Sequence, residues 1–221
     1  MPKSTFYRLA DEKRQRLIVA AYNEFSRAPF ADASISNIIK EAGIPRGSFY
    51  QYFEDKSDVF FYLLDLIRQS ANVWLKDALS ANHGDLFATM HEVVERLVET
   101  ITTGPYHAFY GNLFMYMDFH SADKMAREGT GPVMPPHGPK KGEFASFLLE
   151  NVDRDRLRVK ADDDLRVLIH QLFGMLMQSI GHYFNQLASG AQLSSDELKR
   201  RLDQQLDWLQ FGVGETKEEK Q

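Results

Sequence analysis

The chain has 221 residues, no cysteine, and 26 basic against 31 acidic side chains, which gives a formal net charge of -5 at pH 7. It lacks any run of about 18 apolar residues, so a membrane-spanning helix is excluded. The lack of cysteine excludes disulfides and thiolate zinc ligands, and the N-terminus shows no apolar signal core. These features predict a cytoplasmic protein of one or two domains with a buried core.

The charges are unevenly distributed along the chain. Residues 1–56 hold nine Lys and Arg against seven Asp and Glu, a net charge of +2, whereas the remaining residues hold 17 against 24, a net charge of -7. A basic end on an acidic chain suits a protein that touches nucleic acid with that end only. Chance variation of surface charge is the alternative.

The N-terminal residues are predicted to form an arm and then an amphipathic helix. Residues 1–8 show no apolar periodicity, so we expect a mobile arm. From Leu9 to Ser26 apolar side chains recur at helical spacing and predict the first helix. Pro29 then interrupts the chain, and Ser34 is a good N-cap for the next helix. If the following helices dock in a DNA major groove, the Ser34 hydroxyl would also lie close to a phosphate.

Residues 35–58 have the pattern of a helix-turn-helix. Apolar residues recur at helical spacing from Ile35 to Ala42, and Gly43 stops this run where a left-handed cap is needed. Pro45 stands where a new helix can begin without losing a hydrogen bond. We therefore predict a short helix, a tight turn and a second short helix.

The second of these helices, Pro45–Phe53, is predicted to turn a polar face outward. Phe49 and Phe53 lie four residues apart and so share one buried side of the helix. The other side carries hydrogen-bonding groups that suit a DNA groove. The predicted DNA-binding residues of this helix are Arg46, Gly47, Ser48, Tyr50, Gln51 and Tyr52.

A long helix is predicted from Asp55, its cap, to about Ala81. Lys56 lies in its first turn, where a cation opposes the helix dipole unless an anion binds at the same place. A DNA phosphate is such an anion, so Lys56 is a candidate phosphate ligand, and a solvated lysine is the alternative. With a rise of about 1.5 Å per residue, this helix is long enough to connect the DNA-binding end with the rest of the chain.

The rest of the chain is predicted to be helical as well. Helices are expected at residues 86–103, 106–127, 143–150 and 165–188 and from Ser194 or Ser195 to Gly212, with a loop at 128–142 and a polar tail after 213. The predicted fold class is all-α, with an N-terminal three-helix helix-turn-helix head at residues 1–54 and a larger helical body at residues 55–221.

The helix at 106–127 is apolar or aromatic over more than half of its circumference, so it is buried nearly all round or lines a cavity. Its tyrosines and methionines favour a pocket, because polar tips and adaptable shapes suit a bound small molecule. Core packing is the alternative. The predicted ligand-binding residues, including those of neighbouring helices, are Leu64, Tyr106, Phe109, Tyr110, Phe114, Met117, Phe173 and Met177.

A dimer interface is predicted in the last two helices. A glycine inside a helix costs about 0.5–1 kcal/mol relative to alanine, and Gly174 and Gly181, seven residues apart, share one face. A second helix that approaches closely there would offset this loss, which indicates a four-helix bundle between two copies of the chain. Packing within one chain is the alternative. The predicted interface residues are Gly174, Gln178, Gly181, Leu198, Leu202, Leu206 and Leu209.

The sequence contains no arrangement of residues that suits catalysis. His91 and Glu95 fall short of the two-histidine zinc motif, and Asp118 and His120 point to different helix faces. There is neither a nucleophile elbow nor a phosphate-binding glycine loop. We expect no enzymatic activity, no cofactor and no metal.

The run EAGIPRGSFYQYFEDKSD resembles the DNA-binding segment of the tetracycline-repressor-like (TetR) family of bacterial transcriptional regulators. The resemblance rests on Gly43, the Gly-Ser-aromatic-Tyr run at 47–50, the aromatic-Phe pair at 52–53 and Lys56. It covers roughly residues 8–62. In two places the chain departs from the usual pattern, with Ile39 at a position where a small residue is usual and Pro45 where Ser or Thr usually caps the recognition helix.

This resemblance implies a ligand-responsive regulator, a repressor that binds a palindromic operator as a homodimer and is released by a mostly apolar small molecule. Its implied partners are double-stranded DNA, a small-molecule effector and a second copy of itself, with no membrane. In this interpretation Arg46, Gly47 and Ser48 approach bases, Ser34, Tyr50, Tyr52 and Lys56 hold phosphates, and Gln51 does either.

Two other functions remain open. One is a DNA-binding activator or architectural protein that responds to no ligand. The other is a helical enzyme or small-molecule-binding protein with a vestigial head, which would have no reason to keep solvent-facing aromatic residues on the second helix.

Overall fold

The computed structural model describes residues 2–116 and 143–213, without the side chains of Met115, Tyr116, Glu143 and Ala145. These residues form ten α-helices and one short 3-10 turn at Arg154–Arg156, with no strand among them, and the predicted all-α fold class is confirmed. The helices are α1 (Ser4–Tyr7), α2 (Asp11–Arg27), α3 (Ile35–Ala42), α4 (Arg46–Tyr52), α5 (Lys56–Ala81), α6 (Leu86–Thr102), α7 (His107–Tyr116), α8 (Glu143–Asn151), α9 (Asp162–Ala188) and α10 (Ser195–Phe211).

Several helix starts lie where the cap residues predict them. The Asp55 carboxylate accepts a hydrogen bond from the Asp58 amide at 3.0 Å and so caps α5. The Ser194 hydroxyl accepts one from the Glu197 amide at 3.1 Å and caps α10. Each of these bonds satisfies an amide that has no partner inside its helix, which explains why short local motifs locate the helix starts.

The prediction of a mobile N-terminal arm is wrong. Phe6 in α1 is completely buried, and its ring centroid lies 5.0 Å from those of both Phe53 and Tyr62. The backbone amide of Lys3 also donates a hydrogen bond to the Tyr52 carbonyl at 2.8 Å. A single buried aromatic side chain leaves no helical periodicity in the sequence, and for that reason the pattern did not reveal this anchor.

The structure divides into two compact units, of which the first contains the described residues of Met1–Trp74 and Thr100–Phe144. Its core contains apolar side chains of α1 to α4, the first part of α5, and α7. An aromatic cluster lies at the centre: Phe109 of α7 is 1% exposed, and its ring contacts those of Tyr22, Phe25 and Phe60 at centroid distances of 5.3, 6.5 and 5.9 Å. Helix α7 is therefore part of the core beneath the helix-turn-helix.

A polar contact also joins α7 to α2. The Asn112 side-chain amide donates to the carbonyls of Phe25 and Ser26, both at 2.8 Å. These carbonyls belong to the last turn of α2, where helix geometry leaves them without intrahelical partners. Beside this contact the rings of Tyr22 and Tyr106 stack with their centroids 4.0 Å apart.

The second unit contains the described residues of Leu75–Glu99 and Ala145–Gln221. Gly84 adopts a φ of +80°, and a Cβ at this position would lie 2.7 Å from the Asn151 carbonyl oxygen and 2.8 Å from the Asp153 amide. The Asp153 amide donates to the Gly84 carbonyl at 2.8 Å, so only glycine permits this close approach of α8 to the turn before α6.

Helices α9 and α10 pack against each other in the second unit. Both helices carry buried apolar side chains, among them Leu176 and Leu202, and the Ser179 hydroxyl donates a hydrogen bond to the Gln205 side-chain oxygen at 2.9 Å. His91 of α6 lies 2.8 Å from an Asp203 carboxylate oxygen of α10. None of the helices that the structure describes is long and apolar enough to cross a membrane.

The functional boundary predicted between residues 54 and 55 stays a prediction. Helix α5 contributes residues 56–74 to the first unit and 75–81 to the second. Val59, Tyr62 and Leu63 of α5 are buried in the same core as α3 and α4. The packing of the head therefore continues beyond the three predicted helices.

Candidate nucleic-acid interface

The turn between α3 and α4 closes in the way that the sequence predicts. Gly43 has φ 66° and ψ 37°, a left-handed conformation that glycine adopts without steric cost. The Ile44 amide donates to the Ile39 carbonyl at 3.1 Å and the Gly43 amide to the Lys40 carbonyl at 3.3 Å. This pair of bonds is a Schellman motif, which ends α3 and directs the chain into α4.

Helix α4 exposes a polar face because its apolar side chains point inward. Phe49 is 0% and Phe53 1% exposed, and their ring centroids lie 5.5 Å apart. The predicted burial of this pair is confirmed. Four predicted DNA-binding residues are exposed and two are half-buried; the exposed ones are Arg46, Gly47, Tyr50 and Gln51, and the half-buried ones are Ser48 and Tyr52.

Ser34 caps α3 and is held by a buried carboxylate. Its hydroxyl accepts a hydrogen bond from the Ser36 amide at 3.2 Å, which confirms the predicted cap. Its own amide donates at 2.7 Å to a side-chain oxygen of Glu24, which is only 3% exposed. The cap is thereby fixed to α2.

Glu24 joins three segments of the head. Its two oxygens also accept hydrogen bonds from Arg27 at 2.7 and 2.9 Å, and both lie 3.1 Å from the Asn37 side-chain nitrogen. Burial alone would raise the pKa of the Glu24 carboxyl, but these hydrogen bonds and the Arg27 charge lower the pKa below its ordinary value. The folded head therefore holds Glu24 as a carboxylate.

Glu24 was not among the predicted residues, although its position in the sequence carries a signal. Glu24 lies seven residues after Leu17 and three after Ala21, both buried, and so falls on the apolar face of α2. A charged residue on such a face must be paired or hydrogen-bonded. This position marks a buried polar contact even without a structure.

Lys56 has partners within the head. Its ammonium donates to the carbonyls of Ala31 and Ala33 at 2.7 and 3.2 Å and lies 5.0 Å from the ring centroid of Phe30. These contacts join the start of α5 to the loop before α3. The sequence pattern does not indicate them. The predicted phosphate contact of Lys56 stays a prediction.

Two family models match the chain. Residues 17–63 match the model described as "Bacterial regulatory proteins, tetR family", and residues 85–213 match "Tetracyclin repressor-like, C-terminal domain". The chain belongs to the TetR family. The resemblance found in the sequence is thus confirmed, and the protein is a TetR-family transcriptional regulator. Residues 1–16 precede the matched segments.

Curated relatives include two bacterial regulators. The HTH-type transcriptional regulator YdgC of Bacillus subtilis (strain 168) is 49% identical to this chain over 167 residues, which are 75% of this chain and 77% of YdgC. AcrR of Shigella flexneri is 29% identical over 94 residues, 42% of this chain and 44% of AcrR.

Solved structures of TetR-family regulators share the fold. One from Syntrophomonas wolfei has a TM-score of 0.63 at 17% identity and covers 92% of this chain and 97% of its own. One from Mesorhizobium loti has a TM-score of 0.58 at 17% identity, covering 94% and 97%. At this identity the similarity supports the TetR fold alone.

The predicted ligand-binding residues of this TetR-family chain fall into separate groups. Phe109 is a core residue of the first unit, and Leu64, at 7% exposed, is buried in the same cluster, so core packing explains both. The remaining side chains are half-buried, and Met117 lies outside the described residues. The half-buried ones are Tyr106, Tyr110 and Phe114 in the first unit and Phe173 and Met177 in the second.

The predicted dimer interface is partly corrected. Leu198, Leu202 and Leu206 are at most 2% exposed, because they pack inside the second unit, and a partner cannot reach them. The alternative of packing within one chain is right for these three leucines. The other predicted residues remain accessible, with Gly174, Gln178 and Leu209 exposed and Gly181 half-buried.

The described residues show no feature that suits a metal site. Within residues 2–116 and 143–213, no group of three His, Cys, Asp or Glu side chains is arranged to hold an ion. His91 contacts two carboxylates of α10, those of Asp203 at 2.8 Å and Asp207 at 3.5 Å, and these contacts join two helices of the second unit.

We predict that Glu24→Gln destabilises the head by about 1–3 kcal/mol at pH 7, the usual cost of impairing a buried hydrogen-bonding group. The folded-state pKa of Glu24 is lowered, so the carboxylate contributes its full stability above the ordinary pKa of about 4.5 and loses it as pH falls through the folded pKa. The difference between wild type and variant should therefore shrink on acidification from pH 7 to below pH 4. Urea unfolding at several pH values measures it.

Glu12→Gln is the matched control, because Glu12 lies on the same helix but is exposed. An equal loss of stability in both variants, or a difference that grows on acidification, would contradict the role assigned to Glu24.

Proposed function

We propose that this protein is a repressor that binds a palindromic operator as a homodimer and leaves it when a mostly apolar small molecule binds. Regulators of the TetR family bind DNA, dimerise and take small-molecule effectors. The proposal assigns each of these properties to a surface of this chain. Its main support is the exposed polar face of α4, which lies opposite the buried Phe49 and Phe53.

On this proposal α4 enters the major groove. Arg46 at its start is exposed, and a guanidinium in this place suits the two acceptors of a guanine edge. Apart from the neighbouring residues and the backbone of α4 itself, no described atom lies within 4 Å of a Cβ built on Gly47, so tertiary packing does not require glycine there. A close approach of DNA would explain the glycine at this position. Ser34, Tyr50 and Tyr52 would then hold phosphates, with Ser48 and Gln51 at the base edges.

The second copy would bind at the accessible face of α9 and α10. Apart from neighbouring residues and the backbone of α9 itself, no described atom lies within 4 Å of a Cβ built on Gly174 or Gly181, so another helix has room to approach. Val167, 59% exposed, lies seven residues before Gly174 on the same face.

An open groove of about 710 Å³ runs between α9 and α10. Gln178 and Met175 line it from α9, and Trp208 and Leu209 line it from α10. The surface at the end of α10 is unusually apolar, because Trp208, Leu209, Phe211 and Val213 are between 43% and 75% exposed. Exposed apolar side chains in such number are typical of a protein interface, and a symmetric dimer would cover them in both copies.

The effector would act on the head through α7. Within the first unit, α7 shares the aromatic core with α2 and α5 and binds the last turn of α2 through Asn112. Tyr110 and Phe114 of α7 remain half-buried, and they give a compound an apolar surface with a polar tip. A shift of α7 would then move the head. Because the two half-sites of an operator lie about 34–36 Å apart, such a movement would prevent the two heads of a dimer from binding both half-sites at once.

The operator can be obtained by selection from random duplexes with the wild-type chain. We expect Arg46→Ala and Tyr50→Ala each to weaken operator binding by about 1–3 kcal/mol, the value of one specific base or phosphate contact. Gel shifts at two salt concentrations measure this. Arg158→Ala, an exposed arginine of the second unit, is the control and should bind normally. Absence of any sequence-specific complex at both salt concentrations would rule out the DNA-binding role.

The dimer is tested by sedimentation. The wild type should sediment at twice the chain mass of 25.4 kDa. Gly174→Arg and Leu209→Arg should each shift the equilibrium toward the monomer, because they place unpaired charges in an apolar contact. Val73→Arg, at a 55% exposed site on α5, is the matched control and should leave the mass unchanged. A wild type that stays monomeric at micromolar concentration would contradict the proposal.

Effector binding should be visible in tryptophan fluorescence. The chain has two tryptophans, and Trp208→Phe leaves Trp74 of α5 as the only reporter. An apolar compound from a screened panel should change Trp74 emission and weaken operator binding by about 5–150-fold, the usual range of such coupling. Sedimentation of the variant checks that its dimer is intact. A panel in which no compound changes both emission and operator affinity would count against the ligand-responsive part.

A further inference from the structure

The last turn of α4 is completed by residues that lie far away in sequence. The carbonyls of Tyr50 and Tyr52 accept hydrogen bonds from the Lys3 side chain at 3.0 Å and the Lys3 amide at 2.8 Å. The carbonyl of Gln51 accepts one from the Thr5 hydroxyl. Three consecutive carbonyls at the C-terminal end of α4 thus receive donors from the N-terminal segment.

These carbonyls need partners from outside α4. The last four carbonyls of any α-helix lack intrahelical donors, and most helices satisfy them with a left-handed residue or a nearby basic side chain. Phe53, which follows α4, is extended at φ -132° and ψ 151°, and the last turn contains no basic residue. The Lys3 ammonium therefore supplies both a donor and the positive charge that favours the C-terminal end of a helix dipole.

The N-terminal segment is fixed to the core of the head. Phe6 is fully buried, with its ring centroid 5.0 Å from that of Phe53 and 6.5 Å from that of Tyr52. Its position also determines where Lys3 and Thr5 lie. A helix of seven residues has little stability of its own, so contacts of this kind decide how rigidly α4 is held.

We propose that Lys3, Thr5 and Phe6 form a clamp that holds the last turn of α4 and thereby sets the direction of Tyr50 and Gln51 on DNA. The clamp makes these three residues positioning residues for sequence-specific binding, without a DNA contact of their own. This inference rests on the proposed DNA-reading role of α4.

A clamp and a direct phosphate contact by Lys3 predict different salt dependences of DNA affinity. A lysine that neutralises a phosphate contributes about one unit to the slope of log affinity against log salt, and its loss weakens binding to all sequences alike. A positioning lysine leaves this slope unchanged, and its loss weakens binding to the operator more than to an unrelated duplex.

The test uses the full chain with Lys3→Met and Thr5→Val, which retain side-chain size but remove the donors. Phe6 is left in place, because its replacement risks unfolding the segment. Arg8→Met is the control: Arg8 is an exposed cation of the same segment whose side chain makes none of the three contacts with α4. Thermal melting checks that all variants fold.

We expect Lys3→Met and Thr5→Val each to lower operator affinity about 3–10-fold, as the loss of one hydrogen bond does. Affinity for an unrelated duplex should stay within about twofold and the salt slope should not change. Hydrogen exchange without DNA should be faster at the amides of residues 50–53 in both variants and unchanged in Arg8→Met.

Two results would overturn the clamp. One is an equal loss of affinity for operator and unrelated duplex with a smaller salt slope, which identifies Lys3 as a phosphate ligand. The other is an unchanged ratio of the two affinities, or unchanged exchange at residues 50–53. If Arg46→Ala and Tyr50→Ala still weaken operator binding in that case, the proposed function survives without the clamp. If the wild type binds no operator, the proposed function itself fails.

Discussion

The burial of Phe49 and Phe53 determines which side of α4 faces solvent, and the candidate DNA interface depends on it. A seven-residue helix is too short to be stable alone, so its orientation comes from tertiary contacts. The two phenylalanines anchor α4 in the core, and the left-handed Gly43 sets the direction in which the chain enters α4. Once those contacts form, Arg46 and Tyr50 have no inward position available and lie on the outer surface.

The head also contains a buried charge, which apolar packing alone would not tolerate. Removing a carboxylate such as that of Glu24 from water costs several kcal/mol unless its oxygens are fully hydrogen-bonded. Five hydrogen bonds from Arg27, the Ser34 amide and Asn37 offset this cost. Because each bond has a defined geometry, Glu24 specifies how α2, the loop and α3 meet more narrowly than apolar contacts would.

The shared core of α2, α5 and α7 couples the positions of these helices. Protein interiors are closely packed, so a shift of one member of a cluster forces its neighbours to move. Phe109 contributes its ring to the centre of the first unit, and Asn112 completes the last turn of α2. The head is therefore not an independent module within its unit, because a shift of α7 would displace the helices packed against it.

The sequence by itself determined what depends on neighbours along the chain. Helical spacing, the Ser34 and Ser194 caps and the left-handed Gly43 located the helices, and the polar row on α4 pointed to DNA. Only the tertiary structure decided which apolar side chains lie in a core. Phe109 and the leucine stripe of α10 have the same pattern whether they pack within the chain or meet a ligand or partner. The hydrogen bonds of Lys3 with α4 and of Glu24 with Ser34 likewise join residues far apart in sequence. Such contacts leave no periodic pattern, because they depend on how the helices pack rather than on spacing within one helix.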